Sequence, residues 1–263
     1  MTVLPLRSRR PSEFVLEAHG VTVSYGSRRH HGPLALDGGE LSLRAGESVA
    51  IVGESGSGKS TFAKALVGLV PCIGGELRLE GERLGQRRSR EQVRRLQMVF
   101  QDPSSSLNPS MTVGRMLEEL LRFHRMVPKA RVRERARELL EMVGLPASTI
   151  TALPRRLSGG QRQRVGIARA LAVEPTVLIA DESTAALDVS VQAAILNLLA
   201  RLRAELGLTL LFISHDLSVV RHISDRVIVM KDGRIVEDRD TAGLFAAPGA
   251  DYTRELLAAA PRL

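Results

Sequence analysis

An α/β fold built on a largely parallel sheet is what this sequence predicts, and three features predict it. Apolar strand-like runs alternate with helical ones in the second half of the chain; Glu47–Val52 runs straight into a glycine-rich loop and a helix; and the texture between Pro103 and Leu157 turns purely helical. In chain order, Phe14 to Val23 alternates apolar and polar around His19-Gly20, which predicts a strand pair. Glu47 to Val52 predicts a strand, and Thr61 to Val70 a helix that stops at Pro71. Gly75 to Gly81 and Gln97 to Gln101 predict short strands flanking an Arg-rich polar segment. Helices follow over Met111 to Met126 and Arg131 to Val143, the second closed by Gly144. Strand character returns at Val177 to Ala180, Thr209 to Ser214 and Arg226 to Met230, with a helix over Val191 to Leu206. Lys231-Asp232-Gly233 predicts a hairpin turn before Arg234 to Glu237, and Tyr252 to Ala260 a last helix.

Composition narrows the function classes. The 263 residues, 44% hydrophobic and 25% charged, can bury a full core and are unlike a disordered chain. No apolar stretch reaches the 18 or so residues of a membrane span. Arg7, Arg9 and Arg10 are followed by Pro11-Ser12-Glu13 rather than by an apolar stretch, so no export signal is expected. Cys72 is the single cysteine, which leaves no intrachain disulfide and no iron-sulfur cluster to expect. The net charge of +8 raises nucleic acid as a partner, but the excess is arginine spread along the whole chain, and aromatic residues are 3% with no Trp. A base-stacking platform has little to be built from, and no nucleic-acid partner is expected.

Three segments carry chemistry. Gly53-Glu54-Ser55-Gly56-Ser57-Gly58-Lys59-Ser60 fits the phosphate-binding pattern G-x-x-x-x-G-K-[ST], between a strand and a helix as that pattern requires. Its glycines let successive N–H groups wrap an anion at a helix N-terminus; Lys59 brings a point charge and Ser60 a hydroxyl for Mg²⁺. Val177-Leu178-Ile179-Ala180 is an apolar strand that ends in two acids, Asp181 and Glu182, at the carboxyl edge where ligands of such sheets sit. Asp181 suits an Mg²⁺ shell and Glu182 an attacking water. In Leu157-Ser158-Gly159-Gly160-Gln161, Ser158 can cap a helix and the two glycines allow bare backbone to approach a second anion.

These motifs, in this order, resemble the ATP-binding cassette (ABC) family of ATPases over residues 14 to 260. The resemblance implies a P-loop NTPase core with a β-subdomain and an inserted helical subdomain at about 103–157, after a flexible segment at 1–13. It implies ATP as substrate, bound by Gly53 through Thr61, with Tyr25 stacking on adenine and Mg²⁺ held by Ser60, Gln101 and Asp181. Lys59, Gln101, Glu182 and His215 would carry hydrolysis. Ser158, Gly159, Gly160, Gln161 and Asp188 would act in trans, on ATP held by a second cassette.

Phe100-Gln101-Asp102-Pro103 with Ser104 to Pro109, Ile213 to Val227, and Tyr252-Thr253-Arg254-Glu255-Leu256-Leu257 resemble the dipeptide, oligopeptide and nickel importer branch. That branch implies a peripheral subunit on the cytoplasmic face of the membrane, partnered by two multi-span permeases, a second cassette and a solute-binding protein. The loop Asp102 to Met111 would then be a mobile connector with Leu107 in the surface that docks a permease. Ser183, Ala185 and Asp37-Gly38-Gly39-Glu40 depart from the branch, the last weakening any strand there. Two rival settings share most of these features: the accessory ATPase of a phosphonate carbon–phosphorus lyase system and a non-transport, ATP-gated scaffold.

Overall fold

The computed structural model describes residues 13–26, 32–100, 102, 107–181 and 189–259. In chain order the strands and helices are β1 (Phe14–Ser24), β2 (Leu34–Arg44), β3 (Ser48–Val52), α1 (Lys59–Val67), β4 (Gly74–Leu79), β5 (Glu82–Arg83), α2 (Arg90–Arg95) and β6 (Leu96–Val99). Then come α3 (Val113–Phe123), α4 (Val132–Met142), α5 (Gly159–Leu171), β7 (Val177–Asp181), α6 (Val189–Leu206), β8 (Thr209–Ile213), α7 (Leu217–Ile223), β9 (Arg226–Lys231), β10 (Arg234–Asp240), α8 (Thr241–Ala246) and α9 (Asp251–Ala259).

Two sheets form. One is antiparallel, in the order β2-β1-β4-β5; the other has six strands in the order β10-β9-β3-β8-β7-β6. In the larger sheet β9, β3, β8, β7 and β6 pair in parallel, and only β10 runs antiparallel, on β9. β3, β7 and β8 are buried at every position, as expected of parallel strands covered on both faces. The period-two alternation of these strands separates the faces. Val49, Ile51, Ile179 and Leu211 join a core with α1 and the antiparallel sheet. Leu178, Ala180, Leu210 and Phe212 face the other way, into a core built with α3, α4, α5 and α6. Ala50, Val52, Val227 and Val229 face a third group of residues from α7, α8 and α9.

Four sequence expectations are corrected. Phe14 to Val23 is one strand, not a pair: Gly20 takes φ +60 and Gly38 φ +69, and the pairing with β2 slips between Ala18 and Val21. The extra residue at this bulge shifts the alternation by one, so Leu16, Ala18, Val21 and Val23 all remain buried. The bulge is held by Glu40, whose Oε1 accepts from the Gly20 N–H at 2.6 Å. Thus the Asp37–Glu40 segment stays within the continuous strand β2. Second, α1 ends before Pro71, because Gly68 (φ +82) and Leu69 donate their N–H groups back to Ala65 and Lys64 and close the last turn. Third, the Arg-rich segment contains β5 and α2, the latter started by a capping box between Ser89 and Gln92. Fourth, Leu107 is only 4% exposed and packs in the core with α3 and α4, so it does not offer a docking surface.

Candidate nucleotide site

The loop between β3 and α1 is shaped by close backbone approaches. Gly53 has φ +148, and a Cβ there would stand 2.2 Å from the Met230 carbonyl oxygen of β9. Gly58, the N-cap of α1 at φ +99, would bring a Cβ to 2.7 Å from the Ala35 carbonyl oxygen of β2. Gly56 also has positive φ, +85, but open space around it. The first two glycines are therefore fixed by neighbours and the third by its conformation alone. The Ser57 carbonyl accepts from the Gly233 N–H, 3.1 Å, so the β9–β10 turn clasps the loop from below.

Lys59 is 4% exposed, and its ammonium lies inside the curve of the loop. Nζ donates to the carbonyls of Gly53 at 2.8 Å and Glu54 at 2.6 Å, and to Ser57 Oγ at 3.2 Å. These contacts hold a buried positive charge at the start of a helix that no side chain caps. Beside it, Ser60 Oγ donates to Asp181 Oδ1 at 2.9 Å, which ties α1 to the end of β7. Asp181 is itself 4% exposed. The pair is a hard-oxygen donor set, of the kind that suits Mg²⁺. Thr61 continues the helix, and its Oγ1 lies 3.1 Å from the hydroxyl of Tyr25, a ring 62% exposed at the end of β1.

Strand register brings the remaining candidates to the same edge. Ile51 of β3 and Asp181 of β7 both stand level with Ile213 of β8. Val99 of β6 stands level with Ala180. The carboxyl ends of four neighbouring parallel strands thus lead into Gly53, Ser214-His215, Asp181 and Phe100. His215 is exposed there, on a turn fixed by Ser214, whose Oγ accepts from the Asp216 N–H at 2.9 Å. Gln101, Glu182 and Asp188 lie outside the described residues, as do Ser183 and Ala185.

The Ser158 segment is built differently. Ser158 caps α5, its Oγ accepting from the Gln161 N–H at 3.2 Å while Gln161 Oε1 accepts from the Ser158 N–H at 2.9 Å. Gly160 has a packing reason that its sequence does not show: a Cβ there would meet Val191 Cγ1 of α6 at 2.5 Å. Sequence reasoning also missed two supports of the phosphate loop, the Met230 carbonyl and the Tyr252 hydroxyl, which accepts from the Glu54 N–H at 3.1 Å. Nothing local in the sequence signals either, because both are about 180 to 200 residues away along the chain.

Residues 36–185 match the ABC transporter family. A Brucella ovis protein that carries the provisional name peptide import ATP-binding protein is 49% identical over 86% of this chain and 72% of its own length. The oligopeptide transport ATP-binding protein AmiF of Streptococcus pneumoniae serotype 4 is 45% identical over 95% of this chain and 82% of its own. Among solved structures, the cassette MJ0796, a dimer in a post-hydrolysis state bound to ADP and Pi, superposes with a TM-score of 0.76 at 33% identity, covering 86% of this chain and 98% of that one. CbiO1 of Clostridium perfringens, part of the ABC transporter complex cbiONQ, gives 0.76 at 30% identity over 90% and 92%. Among the described residues no helix is long and apolar enough to cross a membrane. A phosphate loop clasped by its own sheet, a capped Ser-Gly-Gly-Gln helix start and these likenesses agree, and the chain belongs to the ABC transporter family of ATP-binding subunits.

Proposed function

We propose that this chain hydrolyses ATP as the energising subunit of an importer for peptides or a related small solute, bound to the cytoplasmic face of the membrane. The observation that carries the catalytic part is the meeting of Lys59, Ser60 and Asp181 at the N-terminus of α1. The importer part is supported by AmiF and by OppF of Lactococcus lactis, the latter named an oligopeptide transport ATP-binding protein and 44% identical over 88% of this chain and 73% of its own. In this reading two multi-span permeases, a second cassette, identical or paralogous, and a solute-binding protein complete the system, within a cassette at 14–260 whose helical insert spans about 103–157.

The chemistry follows from the residues. Gly53 to Thr61 cradle the phosphates with backbone N–H groups, and Lys59 exchanges its carbonyl partners for phosphate oxygens. Tyr25 stacks on adenine. Ser60, Asp181 and Gln101 would hold Mg²⁺, whose charge would offset that of the phosphates. Glu182 takes the proton of a water whose oxygen bonds to the γ-phosphorus as the bond to the β–γ bridging oxygen breaks, leaving ADP and phosphate. His215 donates to the γ-phosphate as that charge shifts. Ser158, Gly159, Gly160, Gln161 and Asp188 complete the site from a second cassette.

Replacing Glu182 with Gln tests this assignment. The amide still holds the site but cannot serve as a base, so turnover falls on the order of 100-fold or more while ATP binding persists. Gel filtration with light scattering should show an ATP-bound dimer accumulating. Hydrolysis at the wild-type rate would move the base elsewhere.

A further inference from the structure

The segment Tyr252–Leu257 belongs to no catalytic motif, yet one of its side chains touches the phosphate loop. α9 opens on a clamp from β10: Glu237 Oε1 accepts from the Gly249 N–H at 2.8 Å and Oε2 from the Ala250 N–H at 3.0 Å. That clamp fixes the first turn of the helix and so the position of Tyr252. The ring is 8% exposed, packed with Val52, Val229 and Leu244, and the Lys231 ammonium lies 4.4 Å from its centroid. From there its hydroxyl reaches the Glu54 N–H at 3.1 Å.

The site of that contact matters. Gly53 and Glu54 are where the chain leaves β3, and both of their carbonyls hold Lys59. Gly53 is already wedged against Met230 on one side, so the Tyr252 hydroxyl supplies the second fixed point of the same turn. A loop rich in glycine loses much conformational freedom when it orders around a ligand, and an anchor present beforehand reduces that cost. We propose that Tyr252 is a positioning residue, which preorganises the entry of the phosphate loop and makes nucleotide affinity depend on the C-terminal helix. The inference rests on the ATP-binding reading above.

The test is Tyr252→Phe in the full chain, which keeps the ring and removes only the acceptor. Loss of one such hydrogen bond predicts that the Kd for a non-hydrolysable ATP analogue with Mg²⁺ rises roughly two- to tenfold. The KM for ATP should follow, with kcat at saturation unchanged within about twofold. In the nucleotide-free protein the Glu54 amide should exchange its hydrogen faster. Glu237→Gln, which weakens the clamp without touching the ring, should act in the same direction and by less. A purely structural tyrosine would lower the melting temperature and leave Kd alone. That outcome, or unchanged Kd and Glu54 exchange in Tyr252→Phe, overturns the proposal. If the wild type itself binds no nucleotide, the ATP-binding reading fails instead, and the exchange rate still reports on the anchor.

Discussion

Two helix starts in this molecule, α1 after Gly58 and α5 after Ser158, are built in opposite ways. Both follow small residues, and each would face a phosphate in the proposed site. At α1 no side chain caps the helix, and the N-cap is a glycine at φ +99. At α5 the cap is complete, because Ser158 and Gln161 satisfy one another's backbone N–H groups. An uncapped start holding a buried lysine is a site formed by one chain, since its donors have no side-chain competitor. A capped start is stable by itself and offers an anion chiefly its serine hydroxyl and any N–H group beyond the cap. In the proposed site this difference would let the α1 start bind nucleotide by itself and would leave the α5 start to complete a site held by a second chain.

The glycines of the two segments give the strongest ways to break this comparison. Gly53→Ala places a Cβ 2.2 Å from a backbone oxygen that cannot move without disturbing β9. About 3–5 kcal/mol of stability should be lost, read as a fall in melting temperature of roughly 10 °C, and nucleotide binding should fall with it. A mutant melting near wild type would mean that the loop does not press on Met230.

A smaller effect is expected at α5. Gly160→Ala meets a single methyl of Val191, and a cost of about 1–3 kcal/mol should follow. Adding Val191→Ala should restore most of the loss in a thermal melt, through coupling between touching residues. If the double mutant regains stability but not ATPase activity, Gly160 also serves the anion, as its sequence suggested. If neither returns, α5 and α6 do not pack as described.

How much of this was legible beforehand depends on how local the signal is. The phosphate loop, the Ser158 cap and the strands β3, β6, β7, β8 and β9 are written in short patterns and lie where their residues predicted, whereas β2, β5 and α2 are not legible in such patterns. The bulge at Gly20 was missed because a break in alternation looks the same whether the chain turns back or inserts one residue; only the partner strand, through Glu40, decides. α2 was missed because six residues with no buried side chain have no apolar stripe to read. Leu107 was misplaced because Ser and Pro around it imply a loop, and a loop does not reveal which of its side chains turns inward. The support from Met230 arises from the parallel pairing of β3 with β9 and that from Tyr252 from the packing of α9 on the same strands, and no window of sequence contains either.

In the proposed site one chain binds nucleotide at the start of α1 without the α5 start of a second chain. Calorimetric titration of Mg²⁺ with a non-hydrolysable ATP analogue, at a concentration where light scattering shows monomers, tests it on three proteins: wild type, Lys59→Ala and Ser158→Arg. Lys59→Ala should weaken binding on the order of 100-fold, through loss of a charge-assisted phosphate contact, while Ser158→Arg should bind within about twofold of wild type. Equal losses in the two mutants, or near-native affinity in Lys59→Ala, would contradict it.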